Sequence, residues 1–381
     1  MSKSYHVWTI GCQMNEADSR HLGSQLEALG YQETQSADGA DLVVLNTCVV
    51  RQQAEDKAAS RLGSLQSEKE RRPDMTIGLM GCMVGMKEAP QLRRRFPFVD
   101  VFMPPSDTRP LLDYLAEREL YDETVLHETR IRAIRDAIQD EEYILPALRR
   151  GGAVVANVPI VLGCSHACTF CVIPYRRGAE RSVPRQRVIN EVRALVDQGA
   201  REVVLLGQIV DRYGLDLDED TDLADLLREV AETDGLLRVR FLTSHPNWMN
   251  DKLLDTVAEV DKICPHIEVP AQAGNDEILR NMRRGYTVSQ YRDLIARIRD
   301  RIPVAAIATD IIVGFPGESE AQFMDTYALM RELRLDKQHI AKYSERPKTI
   351  ASRQMPDDVD PDEKERRRKM LDDLQTDMLT E

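Results

Sequence analysis

Three of the chain's seven cysteines, Cys164, Cys168 and Cys171, fall within eight residues of one another in the segment GCSHACTFC, residues 163–171. They follow the apolar, β-prone run 159–163, so a strand delivers them to one short loop. Seven is an odd number, and a reducing compartment disfavours disulfides, so metal or redox chemistry is the expected use. Three thiolates in Cys-x3-Cys-x2-Cys spacing can hold three irons of a [4Fe–4S] cube. Zinc would call for four ligands in paired spacing, and a ferredoxin for a fourth cysteine nearby. The fourth iron of the cube keeps an open position. That iron can chelate the amino and carboxylate groups of S-adenosylmethionine, and an electron from the cube would then release a 5′-deoxyadenosyl radical. Such chemistry belongs to the cofactor, while the protein supplies orientation and a dry pocket.

The fold expected around this loop is α/β throughout. Residues 5–10, 41–47, 76–81 and 99–103 read as short apolar strands, with helical spacing over 16–29 and 50–70. This alternation predicts an open parallel, Rossmann-like α/β domain over residues 1–150. Cys12, Cys48 and Cys82 then each stand at the carboxyl end of a strand, the edge where such sheets bind ligands. Residues 107–155 read as helix and charged connector, ending in Arg149-Arg150-Gly151-Gly152. From 151 to 350 the strand-then-helix unit recurs six times, with strands expected at 159–163, 202–207, 238–243, 267–271, 306–313 and 339–343. That count predicts a partial (β/α)6 barrel, which places chemistry at the carboxyl ends of its strands. Amphipathic segments 187–198 and 319–335 are its helices, the second opened by Ser319 and Gln322 in capping-box register. Residues 351–381 form a charged helical tail, whose stretch 363–369 reads as an exposed helix face.

The barrel edge offers candidate cofactor contacts. Gly207 and Gln208 follow the second barrel strand, where the methionine moiety could lie, and Gln272 follows the fourth. Asp310 and Gly314 lie at the fifth, where a glycine lets backbone approach an adenosine. Phe170, between two cluster ligands, could pack on adenine. For each of these, ordinary loop or core structure is the alternative. Arg176, Arg177 and Arg181 follow the cluster loop, and Arg283 and Arg284 follow the fourth strand; they could hold RNA phosphates, or form a solvated face. Cys264 has no partner at cluster spacing and reads as buried and inert. The net charge of −13 speaks against nonspecific nucleic-acid binding but leaves room for a local basic face. No run of about 18 apolar residues and no signal-peptide core occur, so a cytoplasmic protein without a membrane span is expected.

Taken together, the segments TIGCQMN (9–15), NTC (46–48), GCM (81–83), GCSHACTFCVIPYRRG (163–178), LLGQ (205–208), TSHP (243–246), MRRGYT (282–287), TDIIVGFPGE (309–318) and YSERP (343–347) resemble the radical-SAM methylthiotransferase family, above all its MiaB-type tRNA branch. The resemblance runs through nearly the whole chain in the family's order. It implies that Cys12, Cys48 and Cys82 hold an auxiliary [4Fe–4S] cluster that supplies or carries sulfur, beside the radical cluster of Cys164, Cys168 and Cys171. It implies S-adenosylmethionine as cofactor and the conversion of C–H to C–SCH3 at C2 of an N6-modified adenosine next to the tRNA anticodon. The implied partners are tRNA, an electron donor such as flavodoxin or ferredoxin, and a sulfur donor, with the chain a monomer. Another modified tRNA adenosine of the threonylcarbamoyl type, or a ribosomal protein aspartate, is the alternative substrate. An iron–sulfur electron carrier is the alternative of another class. Departures bear on the substrate more than on the chemistry. Ile209, Val210 and Asp211 follow LLGQ where asparagines are usual, Val183 replaces the arginine of Ser-Arg-Pro, Glu268 stands for a histidine and Ala273 for a serine. The family's small C-terminal RNA-binding barrel, the TRAM domain, is missing from this sequence, so weak and salt-dependent RNA binding is expected.

Overall fold

The computed structural model describes residues 3–50, 52–87, 89–120 and 154–380. It divides into two compact units: Met1–Gly163 with Tyr175–Ala179 and Val183–Arg201, and Cys164–Pro174 with Glu180–Ser182 and Glu202–Glu381. The boundary expected at 150 lies outside the described residues.

The first unit is built on a parallel sheet of β1 (Ser4–Thr9), β2 (Gln32–Glu33), β3 (Leu42–Thr47), β4 (Thr76–Gly81) and β5 (Val101–Met103), in the order β2-β1-β3-β4-β5. Every residue of β3 and β4 is buried. Continuous apolar runs of this kind belong to strands covered on both faces. The covering helices include α1 (Gln13–Ala28), α2 (Gln52–Arg71), α3 (Ala89–Arg95) and α4 (Arg109–Leu120). One core cluster joins Tyr5 and Val7 of β1, Leu22 and Leu26 of α1, Val44 of β3 and Leu111 of α4. The strand order reverses between β1 and β3, and a sheet of this order opens its ligand crevice beyond the carboxyl ends there. β6 (Val155–Pro159), β7 (Val161–Leu162) and the helix Arg185–Asp197 also belong to this unit. That helix buries Val188, Val192, Leu195 and Val196, the apolar face of the segment 187–198, and Ile189 beside them. The two-residue strand β2 is absent from the sequence reading, because Gln32 and Glu33 are exposed and carry no apolar pattern.

Gly81 ends β4 at φ +97°, and a Cβ there would lie 2.5 Å from both the Asn46 Oδ1 and the Thr47 carbonyl oxygen. Left-handed backbone alone costs a non-glycine residue roughly 1–2 kcal/mol. Gly81→Ala is therefore expected to destabilise the protein by about 2 kcal/mol or more. Calorimetry checks this; an unchanged melting temperature would contradict it.

In the second unit, β8 (Arg181–Ser182) is followed by β9 (Glu202–Leu206), β10 (Arg238–Phe241), β11 (His266–Glu268), β12 (Ala306–Val313) and β13 (Lys337–Lys342). β9 and β10 pair in parallel, as do β11, β12 and β13. A parallel bridge between Val239 and Ile263 joins the two groups. The result is five parallel strands in chain order with helices between them, the wall of a partial barrel. Three of those helices open on capping boxes, from Asp222, Thr287 and Ser319, the last with Gln322 as the sequence predicts. β11 is shorter than expected. Pro270 has no N–H to continue the ladder, and the chain rejoins β12 only through a single bridge from Gln272 to Ile311.

The tail corrects an expectation. The helix Pro361–Thr380 is not a solvated face: Lys364, Arg367, Leu371 and Leu374 are buried. Arg367 pairs with the buried Glu318 carboxylate at 2.9 Å, which explains how a charged segment docks. Among the described residues, no helix is long and apolar enough to cross a membrane.

Candidate iron–sulfur centres

The first unit brings Cys12, Cys48 and Cys82 to one edge. Cys48 and Cys82 directly follow the adjacent strands β3 and β4, and Cys12 follows β1, which pairs with β3 on its other side. The three thiols sense one another. Burial pushes Cys82 up to about 11, and the sulfurs of Cys48 and Cys12 add to the rise while Arg177 opposes it. Cys48 and Cys82 are buried and Cys12 is exposed. A polar lattice holds this edge. Buried Asn15 donates to the Asn46 Oδ1 at 2.8 Å and to the Thr47 carbonyl at 3.1 Å, and the Cys12 thiol donates to Asn15 Oδ1 at 3.2 Å. Arg177 donates to the Cys82 sulfur and to both Asn15 Oδ1 and Asp18 Oδ2. Ser106 Oγ donates to the other Asp18 oxygen at 2.7 Å.

In the second unit, Cys164, Cys168 and Cys171 share one loop. Burial raises Cys164 to about 11 and Cys171 to about 12, with Cys168 adding to both. The loop is pinned by Thr169, whose N–H donates to the Met282 carbonyl at 3.1 Å and whose hydroxyl donates to that of Asn281 at 2.9 Å. Buried Arg284 donates to the Cys168 sulfur at 3.2 Å, and to Pro270 O and the Tyr286 hydroxyl. Ile173, Ile209 and Trp248 pack an apolar wall against Cys164 and Cys171. Thiols pushed this high are protonated until a metal displaces the proton, and metal binding then supplies the thiolate. Both triads therefore fit iron: soft donors, mutual proximity, and an N–H···S donor on each. Among the described residues, no three His, Cys, Asp or Glu side chains meet at a single-ion site. Thiolates on a cube each bind a different iron and need no common point.

The remaining candidates scatter along the barrel edge. Gly207 and half-buried Gln208 follow β9. Gln272 is 8% exposed, sits at φ +67°, and its buried Oε1 has no partner among the described residues. Such strain in a non-glycine residue costs of order 1–3 kcal/mol and clusters at functional sites. Asp310 lies inside β12 rather than at its end, and its carbonyl accepts the Gln272 N–H at 2.8 Å. Gly314 follows β12, yet the space beside its Cα holds Lys364, 2.3 Å from where a Cβ would stand. Its positive φ thus serves the docking of the tail helix. Phe170 is half-buried between Cys168 and Cys171, and Cys264 is half-buried.

The arginine set needs correction. Arg177 and Arg284 are buried and spent on thiols, a carboxylate and carbonyls, so they present no face to RNA; Arg176 is buried as well. Arg181 and Arg283 remain exposed. Arg283 lines a surface cavity of about 470 Å³ with Arg280, Asp276 and Gln290. An aromatic cluster of buried His245 with half-buried His166 and Trp248 carries no clear signal in the sequence. The His245 ring lies 4.7 Å from both the His166 ring, edge to face, and the Trp248 ring, tilted, and the Arg212 guanidinium lies 4.4 Å above the Trp248 ring. Burial drives His245 down to about 2 and Asp211 up to about 7. The TSHP segment was its only signal.

Comparison with known proteins fits this geometry. Residues 158–330 match the family described as the Radical SAM superfamily, and residues 4–104 match Uncharacterized protein family UPF0004. The chain is 46% identical over 371 residues to the tRNA-2-methylthio-N(6)-dimethylallyladenosine synthase of Dehalococcoides mccartyi, covering 97% of this chain and 82% of that one. Against the protein of the same name from Chloroflexus aurantiacus, identity is 45%, covering 100% of this chain and 78% of that one. The chain belongs to the tRNA-2-methylthio-N(6)-dimethylallyladenosine synthase family. Members of this synthase family are radical SAM methylthiotransferases, which work with S-adenosylmethionine and [4Fe–4S] clusters. Solved structures agree in fold. The radical S-adenosylmethionine methyltransferase TsrM from Kitasatospora setae gives a TM-score of 0.64 at 15% identity, covering 90% of this chain and 73% of that one. The cobalamin-dependent S-adenosylmethionine radical enzyme OxsB gives 0.57 at 11% identity, covering 99% and 56%.

Proposed function

We propose that this chain replaces the C2–H of N6-dimethylallyladenosine, next to the tRNA anticodon, by C2–SCH3. The observation that carries the proposal is the pair of separate cysteine triads, each supported by a buried arginine, in a chain of this family. Cys164, Cys168 and Cys171 hold the barrel cluster, and Cys12, Cys48 and Cys82 hold the auxiliary one. When bound, these clusters and S-adenosylmethionine supply the electron, the hydrogen-abstracting radical, the sulfur and the methyl group. The chain's own side chains bind, orient and exclude water. Ile173, Ile209 and Trp248 keep water from the barrel thiolates. Gln272 accepts an N–H of the cofactor with its unpartnered Oε1. Gln208 at the end of β9 and Phe170 on the cluster loop border the same cofactor. Residues 1–150 thus serve sulfur supply, residues 151–350 radical chemistry, and residues 351–381 dock as the tail. A flavodoxin- or ferredoxin-like reductant and a separate sulfur donor complete the system, acting on a monomer in the cytoplasm.

Arg181 and Arg283 meet the RNA backbone. Single-stranded RNA contacts each contribute about 0.7 to the slope of log affinity against log salt. Replacing both arginines by alanine should weaken tRNA binding and flatten that slope by about 1.4. A slope equal to the parent's would remove them from the interface. The proposal as a whole is tested by expressing the chain in cells that lack this modification and analysing their tRNA nucleosides by mass. N6-dimethylallyladenosine should gain the elements CH2S. If tRNA stays unchanged while a ribosomal protein gains that mass, the substrate assignment is wrong.

A further inference from the structure

Both triads carry a buried arginine on one sulfur, but the two arginines differ in their counter-charge. Arg284, on Cys168, has a hydroxyl and a carbonyl as its other partners, and among the described residues no carboxylate pairs with it. Arg177, on Cys82, is locked to the Asp18 carboxylate through both terminal nitrogens at 3.3 Å. Asp18 is itself fixed on its other oxygen by Ser106 at 2.7 Å, and Arg177 Nη1 also reaches the Ser106 hydroxyl at 3.3 Å. Arg177 Nη2 reaches Asn15 Oδ1, the atom that accepts from the Cys12 thiol. The guanidinium is thus tied directly to Cys82 and, through Asn15, to Cys12. A planar fork with five donors can make this set of contacts; an ammonium can supply the charge but not the fork.

We propose that Arg177 is a positioning residue of the auxiliary centre, with Asp18 as its counter-charge, and that this pair sets the reduction potential of the cluster on Cys12, Cys48 and Cys82. The inference rests on the reading that those cysteines hold a cluster. A donor and a positive charge at a cluster sulfur stabilise the more negative, reduced form and raise the potential. Asp18 lowers the net charge at that sulfur and so restrains the rise. The barrel centre, with Arg284 uncompensated, is built without that restraint.

The test uses the full chain carrying Cys164→Ala, Cys168→Ala and Cys171→Ala, reconstituted anaerobically so that only the auxiliary cluster forms, with iron analysis and a redox titration followed by electron paramagnetic resonance. Failure of this parent to bind a cluster would sink the cluster reading itself, and the inference with it, before any Arg177 variant is made. With the cluster present, Arg177→Gln should lower the reduced-to-oxidised ratio at fixed poise about tenfold, equal to about 59 mV for one electron. Asp18→Asn should move the ratio the opposite way, and Arg177→Lys should lie between Arg177→Gln and the parent. Potentials equal to the parent's in both Arg177→Gln and Asp18→Asn, with iron retained, would overturn the inference. If Arg177→Gln loses its iron, Asp18→Asn decides: a raised potential supports the pair, and an unmoved one refutes it. Iron lost from all three variants marks Arg177 as a purely structural residue and also refutes it.

Discussion

A variant with Cys164, Cys168 and Cys171 replaced by alanine will form no 5′-deoxyadenosine above background, and its iron will fall from about eight to about four per chain, one cube of two. The reason is local. The three sulfurs share a single loop, and the second unit's other cysteine, half-buried Cys264, bonds through its backbone to Val239 and His266 and not to that loop. The loop itself is held by Thr169 through Met282 and Asn281, so the alanine variant keeps its fold. Circular dichroism should therefore match the parent while turnover of S-adenosylmethionine disappears. Full iron retention in this variant would dismiss the ligand assignment.

The complementary variant, with Cys12, Cys48 and Cys82 replaced by alanine, will keep S-adenosylmethionine cleavage within a few-fold and insert no sulfur at all. Those cysteines belong to the parallel sheet of the first unit and follow β1, β3 and β4. The polar lattice of Asn15, Asn46, Asp18 and Arg177 around them includes no ligand of the barrel cluster. Cleavage is read as 5′-deoxyadenosine, and insertion as methylthio nucleoside in digested tRNA. Loss of both activities in a variant that retains its barrel iron would show that the two centres do not work independently.

What the sequence makes legible is carried by short-range pattern. The barrel loop declares itself because its three thiols are three and four residues apart. The second triad is legible only through a rule about strand ends, and it works because LVVLNT and TIGLMG are buried along their whole length and so are read as central strands. β2 and β8 are too short and too polar to carry a pattern. Pro270 cuts β11 short because a missing N–H cannot be offset by apolar neighbours. The arginines escape sequence pattern for a different reason. Whether a guanidinium faces water or a thiol depends on partners far along the chain: Asp18 is 159 residues from Arg177, and Cys168 is 116 from Arg284. Arg367 likewise reads as solvated until Glu318, 49 residues away, is placed beside it.

The central claim is that the barrel centre removes the C2 hydrogen that sulfur replaces. The most direct measurement incubates the reconstituted chain with S-adenosylmethionine, a reductant, and tRNA deuterated at C2 of its N6-dimethylallyladenosine, then analyses both products by mass. Deuterium is expected in the 5′-deoxyadenosine, in step with the methylthio nucleoside formed. Methylthio product accompanied by unlabelled 5′-deoxyadenosine, or 5′-deoxyadenosine formed while the nucleoside keeps its deuterium and gains no sulfur, would contradict it.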